Sequence, residues 1–98
     1  MPKKVLLVHP SRESVRVRGL PHLGLASVAA ILRNNGHNVL VVDYLVAPNT
    51  PPITHFLSNF SPDIVGINTY TAMVSKVFRF IDSVYDYNKR IPIIVGGP

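Results

Sequence analysis

The chain carries, near its amino terminus, the continuous apolar stretch Lys4-Val5-Leu6-Leu7-Val8. A short run that is apolar throughout and rich in β-branched residues is typical of a strand buried on both faces of a sheet. Further runs of the same kind follow at residues 38–43, 64–68 and 91–95. Because half-buried antiparallel strands would alternate in polarity, these uniformly apolar strands predict a parallel sheet.

Helical segments lie between the strands. Residues 23–35 are apolar nearly all round and rich in alanine, and Gly36 suits the left-handed position that ends a helix. Residues 53–60 form a short helix with proline before it. A third helix follows Thr71, which can cap it. Its predicted apolar face consists of Val74, Val77, Phe78, Ile81, Val84 and Tyr85.

The strict alternation of strand and helix predicts helices on both faces of the sheet and right-handed crossovers. We therefore expect a flavodoxin-like (Rossmann-type) α/β three-layer sandwich with a parallel sheet of strand order 2-1-3-4. Flavodoxin-like sheets have five strands, so we expect the fifth strand to be missing by truncation and residues 1–98 to be one incomplete domain. The fourth strand would then be an apolar edge able to pair with another chain.

Composition excludes several classes of protein. With 98 residues the chain forms one small domain, and a hydrophobic fraction of 47% argues against disorder. The sequence has no apolar run near the roughly 20 residues of a membrane helix, and its start does not resemble a signal peptide. Since the chain has no cysteine, it cannot itself hold a disulfide, a thiolate zinc site or an iron–sulfur cluster. We expect a cytoplasmic location without membrane contact.

The formal net charge is +5, which raises the question of nucleic-acid binding. The basic residues are scattered along the chain, and their only local concentration is Arg12, Arg16 and Arg18 in one loop. A solvated surface explains this distribution better than a nucleic-acid interface does.

Topology predicts where a ligand would bind. In doubly wound sheets the site lies at the carboxyl ends of the strands where the strand order reverses, here between the first and third strands. A glycine pair at the end of the fourth strand faces the same edge and would let a flat ligand lie against the backbone. Read singly, the pair is a turn and Thr71 a helix cap; together with the polar loop they form a candidate site. Its loop residues are Asn68, Thr69, Tyr70 and Thr71, and its glycines are Gly96 and Gly97.

Five stretches in a fixed order carry a family resemblance. They are residues 4–10 (KVLLVHP), 23–32 (LGLASVAAIL), 36–43 (GHNVLVVD), 62–67 (PDIVGI) and 92–98 (PIIVGGP). Together they resemble the amino-terminal cobalamin-binding domain of radical S-adenosylmethionine enzymes. That group includes methyltransferases and the anaerobic oxidative cyclase of magnesium-protoporphyrin monomethyl ester. The resemblance covers essentially the whole chain.

The resemblance implies a cobalamin-binding module without catalytic residues of its own. Gly96 and Gly97 would line the channel for the nucleotide tail, with Asn68 and Tyr70 deeper in it. S-adenosylmethionine and a 4Fe–4S cluster would belong to a downstream domain, the partner of this one. The full set of implied cofactor-binding residues is Pro10, Ser11, Leu23, Gly24, Asn68, Thr69, Tyr70, Thr71, Gly96 and Gly97.

The chain departs from the broader family in one motif. Cobalamin domains commonly carry Asp-x-His-x-x-Gly, whose histidine binds cobalt. Gly24 occupies the final glycine position, but Gly19 and Pro21 stand where the aspartate and histidine are expected. His22 lies one residue from the expected place. Loss of this histidine is common in the radical enzyme group, and no side chain of this chain is assigned to the cobalt.

Two alternatives remain open from the sequence. Asp43 at the end of the second strand is similar to the ribose-binding acid of dinucleotide folds, which suggests a nucleotide or nucleotide-sugar site, although the Gly-x-Gly-x-x-Gly loop is missing. The chain could also be a structural fragment that binds nothing. Among the histidines, His9 and His22 are the candidates for a cofactor contact, whereas His37 and His55 are expected at the surface.

Overall fold

The computed structural model describes residues 2–9, 23–44, 50–68 and 74–96, with the side chains of 23–25 and 74–76 left aside. Within these residues strand and helix alternate, as predicted. The elements are β1 (Lys4–His9), α1 (Leu23–Asn34), β2 (Asn38–Asp43), α2 (Ile53–Phe60), β3 (Ile64–Asn68), α3 (Val74–Tyr87) and β4 (Ile93–Gly96).

The sheet is parallel and its strands lie in the order β2-β1-β3-β4. The register pairs Val5 of β1 with Val39 of β2 on one side and with Ile64 of β3 on the other. Strand β1 is thus central, and its residues Val5 to His9 are all buried. The flavodoxin-like topology and the strand order are confirmed.

Side-chain alternation along the strands divides the apolar residues between the two faces of the sheet. On one face α1 covers β1 and β2 with a small cluster of Val5, Leu7, Ala29 and Val39. On the other face α2 and α3 pack on a larger cluster. Its buried members include Leu6, Val8, Val42, Leu57, Val65, Ile67, Val77 and Val84. The expected helix layers on both faces are therefore present.

The apolar face of α3 differs from the prediction. Val77 and Val84 are buried and Ile81 packs against the core as expected, but Phe78 and Tyr85 are exposed. Phe80 takes their place: it packs against the larger cluster, with its ring centroid 5.4 Å from that of Tyr44. The spacing 77, 80, 81, 84 is the narrow helical stripe that faces the sheet, whereas 78 and 85 fall beside it.

Strand β4 begins two residues later than predicted. The N–H of Ile91 donates to the carbonyl of Asn88 (3.3 Å), so Ile91 closes the turn after α3 instead of pairing in the sheet. Pro92 has no N–H to donate, and pairing starts with its carbonyl, which accepts from the Val65 N–H (3.0 Å). Strand β4 is an edge of the sheet, and its Ile94 and Val95 are 62% and 43% exposed.

The amino edge of the sheet, where the strands begin, is closed by hydrogen bonds. The Lys4 N–H donates to Asp63 Oδ2 (2.8 Å), and the Asp63 N–H donates to the Lys4 carbonyl (2.7 Å). The Lys3 N–H donates to His37 Nδ1 (3.1 Å), and the side chain of His37 is half-buried. Gly36 has φ +86° and ends α1 in the predicted left-handed conformation.

Among the described residues, no helix is both long and apolar enough to cross a membrane.

Candidate cofactor-binding site

The carboxyl edge of the sheet is the end at which β1, β2, β3 and β4 finish, at His9, Asp43, Asn68 and Gly96. Helix α1 also begins there. Its last turn lies at the amino edge, where Arg33 Nη2 donates to the Val39 carbonyl near the start of β2 (3.0 Å). Its first residues, Leu23 and Gly24, therefore start at the carboxyl edge, on the face that α1 covers.

The four strand ends form one row on the α1 face. His9 pairs with Asp43, and Asn68 pairs with Gly96, while Val8 pairs with Ile67 one residue earlier. Since Val8 and Ile67 point into the larger cluster on the opposite face, the next residues point towards α1. Neighbouring strands lie about 4.8 Å apart, so the row Asp43–His9–Asn68–Gly96 extends about 14 Å across the sheet.

Burial changes along this strand-end row. His9 is 0% exposed and Asn68 is 8% exposed, and these are the buried polar residues of the described chain. Asp43 is half-buried, and Gly96 at the other end is exposed. The row thus runs from a buried polar centre to an open backbone.

The space beside Gly96 is open. A Cβ placed on Gly96 would have no heavy atom within 4 Å, so the fold itself does not require glycine there. Gly66, in the middle of β3, is different: a Cβ there would lie 2.8 Å from Leu7 Cδ2. Gly66 serves packing, whereas Gly96 leaves room for a bulky group to approach the strand backbone. An open backbone next to a buried amide suits a large, mostly flat cofactor with polar side groups.

Of the ten residues assigned from the sequence, four are described, and all four lie at the carboxyl edge: Leu23, Gly24, Asn68 and Gly96. Nothing is shown of the side chain of Leu23. The other six lie outside the described residues. They are Pro10, Ser11, Thr69, Tyr70, Thr71 and Gly97.

Two further polar residues join the site. The implied set of cofactor-binding residues omitted Asp43 and His9, which the sequence had suggested only as a ribose-binding acid of the nucleotide alternative and as a candidate cofactor contact. Side-chain alternation along the strands is consistent with Asp43 and His9 on the same face as Asn68. Whether the three residues lie side by side depends on the register between the strands, which the structure gives.

The remaining described histidines lie elsewhere. His37 belongs to the closed amino edge. His55 is exposed on α2, as predicted. Its ring centroid lies 5.1 Å from that of Phe56, with the two rings edge-on, and its Nδ1 lies 3.3 Å from Asn59 Nδ2. Within the part of the chain that the structure describes, no three histidine, cysteine, aspartate or glutamate residues cluster as a metal site. His22 lies outside that part.

The topology is that of a flavodoxin-like domain, and domains of this fold bind ligands at the carboxyl edge of the sheet. A family model of the B12 binding domain matches residues 15–98. The match covers most of the chain and includes Leu23, Gly24, Asp43, Asn68 and Gly96, whereas His9 precedes it. The chain belongs to the B12 binding domain family.

Relatives extend this finding. The chain is 35% identical over 100 residues to an uncharacterized methyltransferase from Pyrococcus horikoshii. This alignment covers 97% of the present chain and 22% of the methyltransferase. The radical S-adenosylmethionine methyltransferase TsrM from Kitasatospora setae, solved with cobalamin and a 4Fe–4S cluster bound, has the same fold. It superposes with a TM-score of 0.80 at 19% identity over 99% of this chain and 20% of that chain. The chain spans about a fifth of the length of each relative. The match to the B12 binding domain model favours cobalamin over the nucleotide alternative.

Proposed function

We propose that this chain is the cobalamin-binding module of a radical S-adenosylmethionine enzyme and that it holds the cofactor at the carboxyl edge of its sheet. The match of the B12 binding domain model to residues 15–98 carries the proposal. The open space beside Gly96 and the buried amide of Asn68 at the same edge support it.

In this proposal each described residue has a defined task. Gly96, followed by Gly97, offers bare backbone against which part of the cofactor lies. Asn68 supplies an amide that both donates and accepts hydrogen bonds. The first turn of α1, with Leu23 and Gly24, borders the site on the α1 face. Pro10, Ser11, Thr69, Tyr70 and Thr71 complete it in the adjoining loops.

Bound cobalamin would supply cobalt-centred group-transfer chemistry, and the protein would supply position and environment. No side chain of this chain is assigned as a cobalt ligand. His9 has no exposed surface, and His37 and His55 lie away from the carboxyl edge.

The reaction needs a second domain. Because the chain has no cysteine, S-adenosylmethionine and the 4Fe–4S cluster are assigned to a downstream domain of a longer protein. The small share of each relative that the chain covers agrees with this. The names of both relatives favour methyl transfer over oxidative cyclisation. The chain by itself is not proposed to be catalytic.

Four further expectations belong to this proposal. Residues 1–98 form an incomplete domain, and the exposed β4 edge, with Ile94 and Val95, supports self-association of the isolated chain. The protein acts in the cytoplasm. It does so without nucleic acid or membrane as a partner.

Retention of hydroxocobalamin tests the proposal. The chain is incubated with the cofactor, freed of excess by gel filtration, and its visible spectrum is recorded. We expect a co-eluting corrin band for the wild type, a band lost in Gly96→Leu, and a band kept in Val95→Leu. Val95 is the neighbouring residue on the opposite face of the same edge strand, so it is a matched control.

Two results would count against the proposal. Equal retention by Gly96→Leu and the wild type would show that the cofactor lies elsewhere. If the wild type retains no corrin, and a longer protein that includes the downstream domain also retains none, cobalamin binding is wrong, and nucleotides should be tested next.

A further inference from the structure

The two faces of the sheet are covered to different extents. On the α1 face, strand pairing places Leu7 of β1, Gly66 of β3 and Ile94 of β4 in one row. Burial falls along this row: Leu7 is buried, Gly66 is half-buried and Ile94 is 62% exposed. On the opposite face even Ile93 of β4 packs against the larger cluster. The α1 face is therefore open over β3 and β4.

The width of a helix explains this difference. A helix with its side chains is about 10–12 Å wide and strands lie about 4.8 Å apart, so one helix covers about two strands. The opposite face has α2 and α3 for the four strands. On the α1 face, the described residues provide α1 alone, which packs on β1 and β2. The uncovered strands leave room for one further helix beside α1.

Arg33 shows which flank of α1 faces the outer edge of the sheet. The Asn38 N–H donates to the Lys3 carbonyl beside β1. Because backbone groups alternate in direction along a strand, the carbonyl of the next residue, Val39, points away from β1 to the outer edge of β2. Arg33 Nη2 donates to that carbonyl (3.0 Å). The Arg33 flank of α1 is therefore the outer flank.

The exposed apolar residues of α1 lie on the other flank. Ala29 and Leu32 pack on the sheet. With about 100° per residue, Arg33 lies about 70° to one side of the line between them and Val28 about 70° to the other. Ile31 lies further round on the flank of Val28. Val28 and Ile31, which are 45% and 61% exposed, thus face the open part of the sheet.

These residues form a groove, here called the α1 groove, with Gly66 and Ile94 as its floor and Val28 and Ile31 as its wall. We propose that the α1 groove binds an amphipathic helix of the same polypeptide, from the part of a longer protein that follows residue 98. This inference rests on the proposed function, which places the chain in a longer protein. A helix that is apolar nearly all round, as α1 is, belongs in the interior, and a second helix would bury its exposed flank.

The relatives and the position of β4 favour this occupant. Each relative matches nearly the whole of this chain with only about a fifth of its own length, so most of such a protein lies outside residues 1–98. Strand β4, which forms the floor of the α1 groove, is also the last described element. A helix that follows it in the sequence is tethered beside the groove, which raises its effective concentration there.

A second copy of the chain fits the groove less well. If two chains pair through their β4 edges, the two α1 helices lie about 30 Å apart on the same face of the joined sheet. That distance leaves both α1 grooves open. Edge pairing therefore does not replace the missing helix.

The absence of cysteine from the chain gives a direct test by thiol accessibility. Ile31→Cys is introduced into the 98-residue chain and into the longer protein, and its alkylation by N-ethylmaleimide is timed by mass spectrometry without cofactor. We expect the rate to be at least about ten-fold lower in the longer protein, because a covered thiol reacts slowly. Ala30→Cys is the matched control: Ala30 is exposed on the outer flank of α1, so its rate should be equal in both proteins.

Hydrogen exchange then identifies the occupant. In the longer protein, Ile31→Glu places a charge in the α1 groove and should expose one segment after residue 98 whose apolar residues recur at helical spacing. Ala30→Glu should expose none. Should Ile31→Cys fail to fold, Ile94→Cys reports on the floor of the same groove.

Equal alkylation of Ile31→Cys in the two proteins would overturn the inference, as would exposure of a segment without a helical pattern. Protection that appears in the 98-residue chain and rises with its concentration would assign the groove to a second copy and overturn it too. Since no cofactor is added, failure to retain hydroxocobalamin would refute the proposed cofactor site while leaving this result unchanged.

Discussion

The two edges of the sheet are built in opposite ways. At the amino edge, main-chain groups of Lys3 and Lys4 are hydrogen-bonded to His37 and Asp63. At the carboxyl edge a polar row ends in the open backbone of Gly96. Two of the stretches that resemble the cobalamin domain, 36–43 and 62–67, begin at the amino edge with His37 and Asp63, and the first of them ends at the carboxyl edge with Asp43. A family resemblance therefore mixes residues that hold the sheet together with residues that face the ligand.

Substitutions of the two strand glycines, Gly66 and Gly96, should have the largest effects and should separate packing in the core from ligand binding at the carboxyl edge. In Gly66→Val the new side chain overlaps Leu7, and we expect a loss of about 1–3 kcal/mol in unfolding free energy. Gly96→Val meets open space and should leave stability nearly unchanged while weakening hydroxocobalamin binding. Urea unfolding and absorption titration of both variants measure this. Equal destabilisation by the two substitutions would contradict the assigned roles.

Asp63→Ala breaks the amino edge. The Lys4 N–H loses its carboxylate acceptor, and we expect a loss of about 1–2 kcal/mol in unfolding free energy. Because Asp63 lies at the end of the sheet opposite the site, cofactor affinity should not change. Asp63→Asn keeps an acceptor oxygen and is the control for lost charge. A large change in the dissociation constant of the well-folded Asp63→Ala variant would erase the distinction between the edges.

Gly36→Ala introduces a side chain at φ +86°. We expect a cost of about 1 kcal/mol, because a residue with a Cβ is strained in the left-handed region. Thermal unfolding should show a lower melting temperature with an unaltered cofactor affinity. An unchanged melting temperature would mean that the end of α1 adopts a different conformation in solution.

Ser61→Gly is expected to have the smallest effect and the opposite sign. Ser61 ends α2 with φ 52° and ψ 61°, and its N–H donates to the Leu57 carbonyl (3.1 Å). Glycine adopts this conformation without strain, so the variant should gain about 0.5–1 kcal/mol in chemical unfolding. A loss of stability would indicate that the serine hydroxyl, 3.4 Å from the Ser58 carbonyl, contributes more than the strain costs.

Much of the fold follows from the sequence because the signals are local. The order of elements was predicted from the uniformly apolar strands, the glycine at the end of α1 and the proline before α2. The predicted bounds of β2, α2 and β3 agree with the structure. The predicted apolar face of α3 was wrong in including Phe78 instead of Phe80. The two residues are equally apolar, and only tertiary packing selects Phe80. The start of β4 depended on the partner of the Pro92 carbonyl, which lies on another strand.

The sequence predicted at which edge of the sheet the candidate site lies, but not how the residues are arranged along that edge. Topology placed Asn68 and Gly96 together, because carboxyl ends of parallel strands share one edge. The row through His9 and Asp43 required the register between strands, which no single segment encodes. The contributions of Pro10, Ser11, Thr69, Tyr70, Thr71 and Gly97 remain predictions.

The most direct test of the central claim is a map of backbone amide signals by two-dimensional NMR before and after adding hydroxocobalamin to the ¹⁵N-labelled chain. If the cofactor binds at the carboxyl edge, the signals of Leu23, Asn68 and Gly96 move while those of Lys4 and Asp63 stay in place. Shifts confined to the amino edge, or no shifts at all at saturating cofactor, would contradict binding at the carboxyl edge.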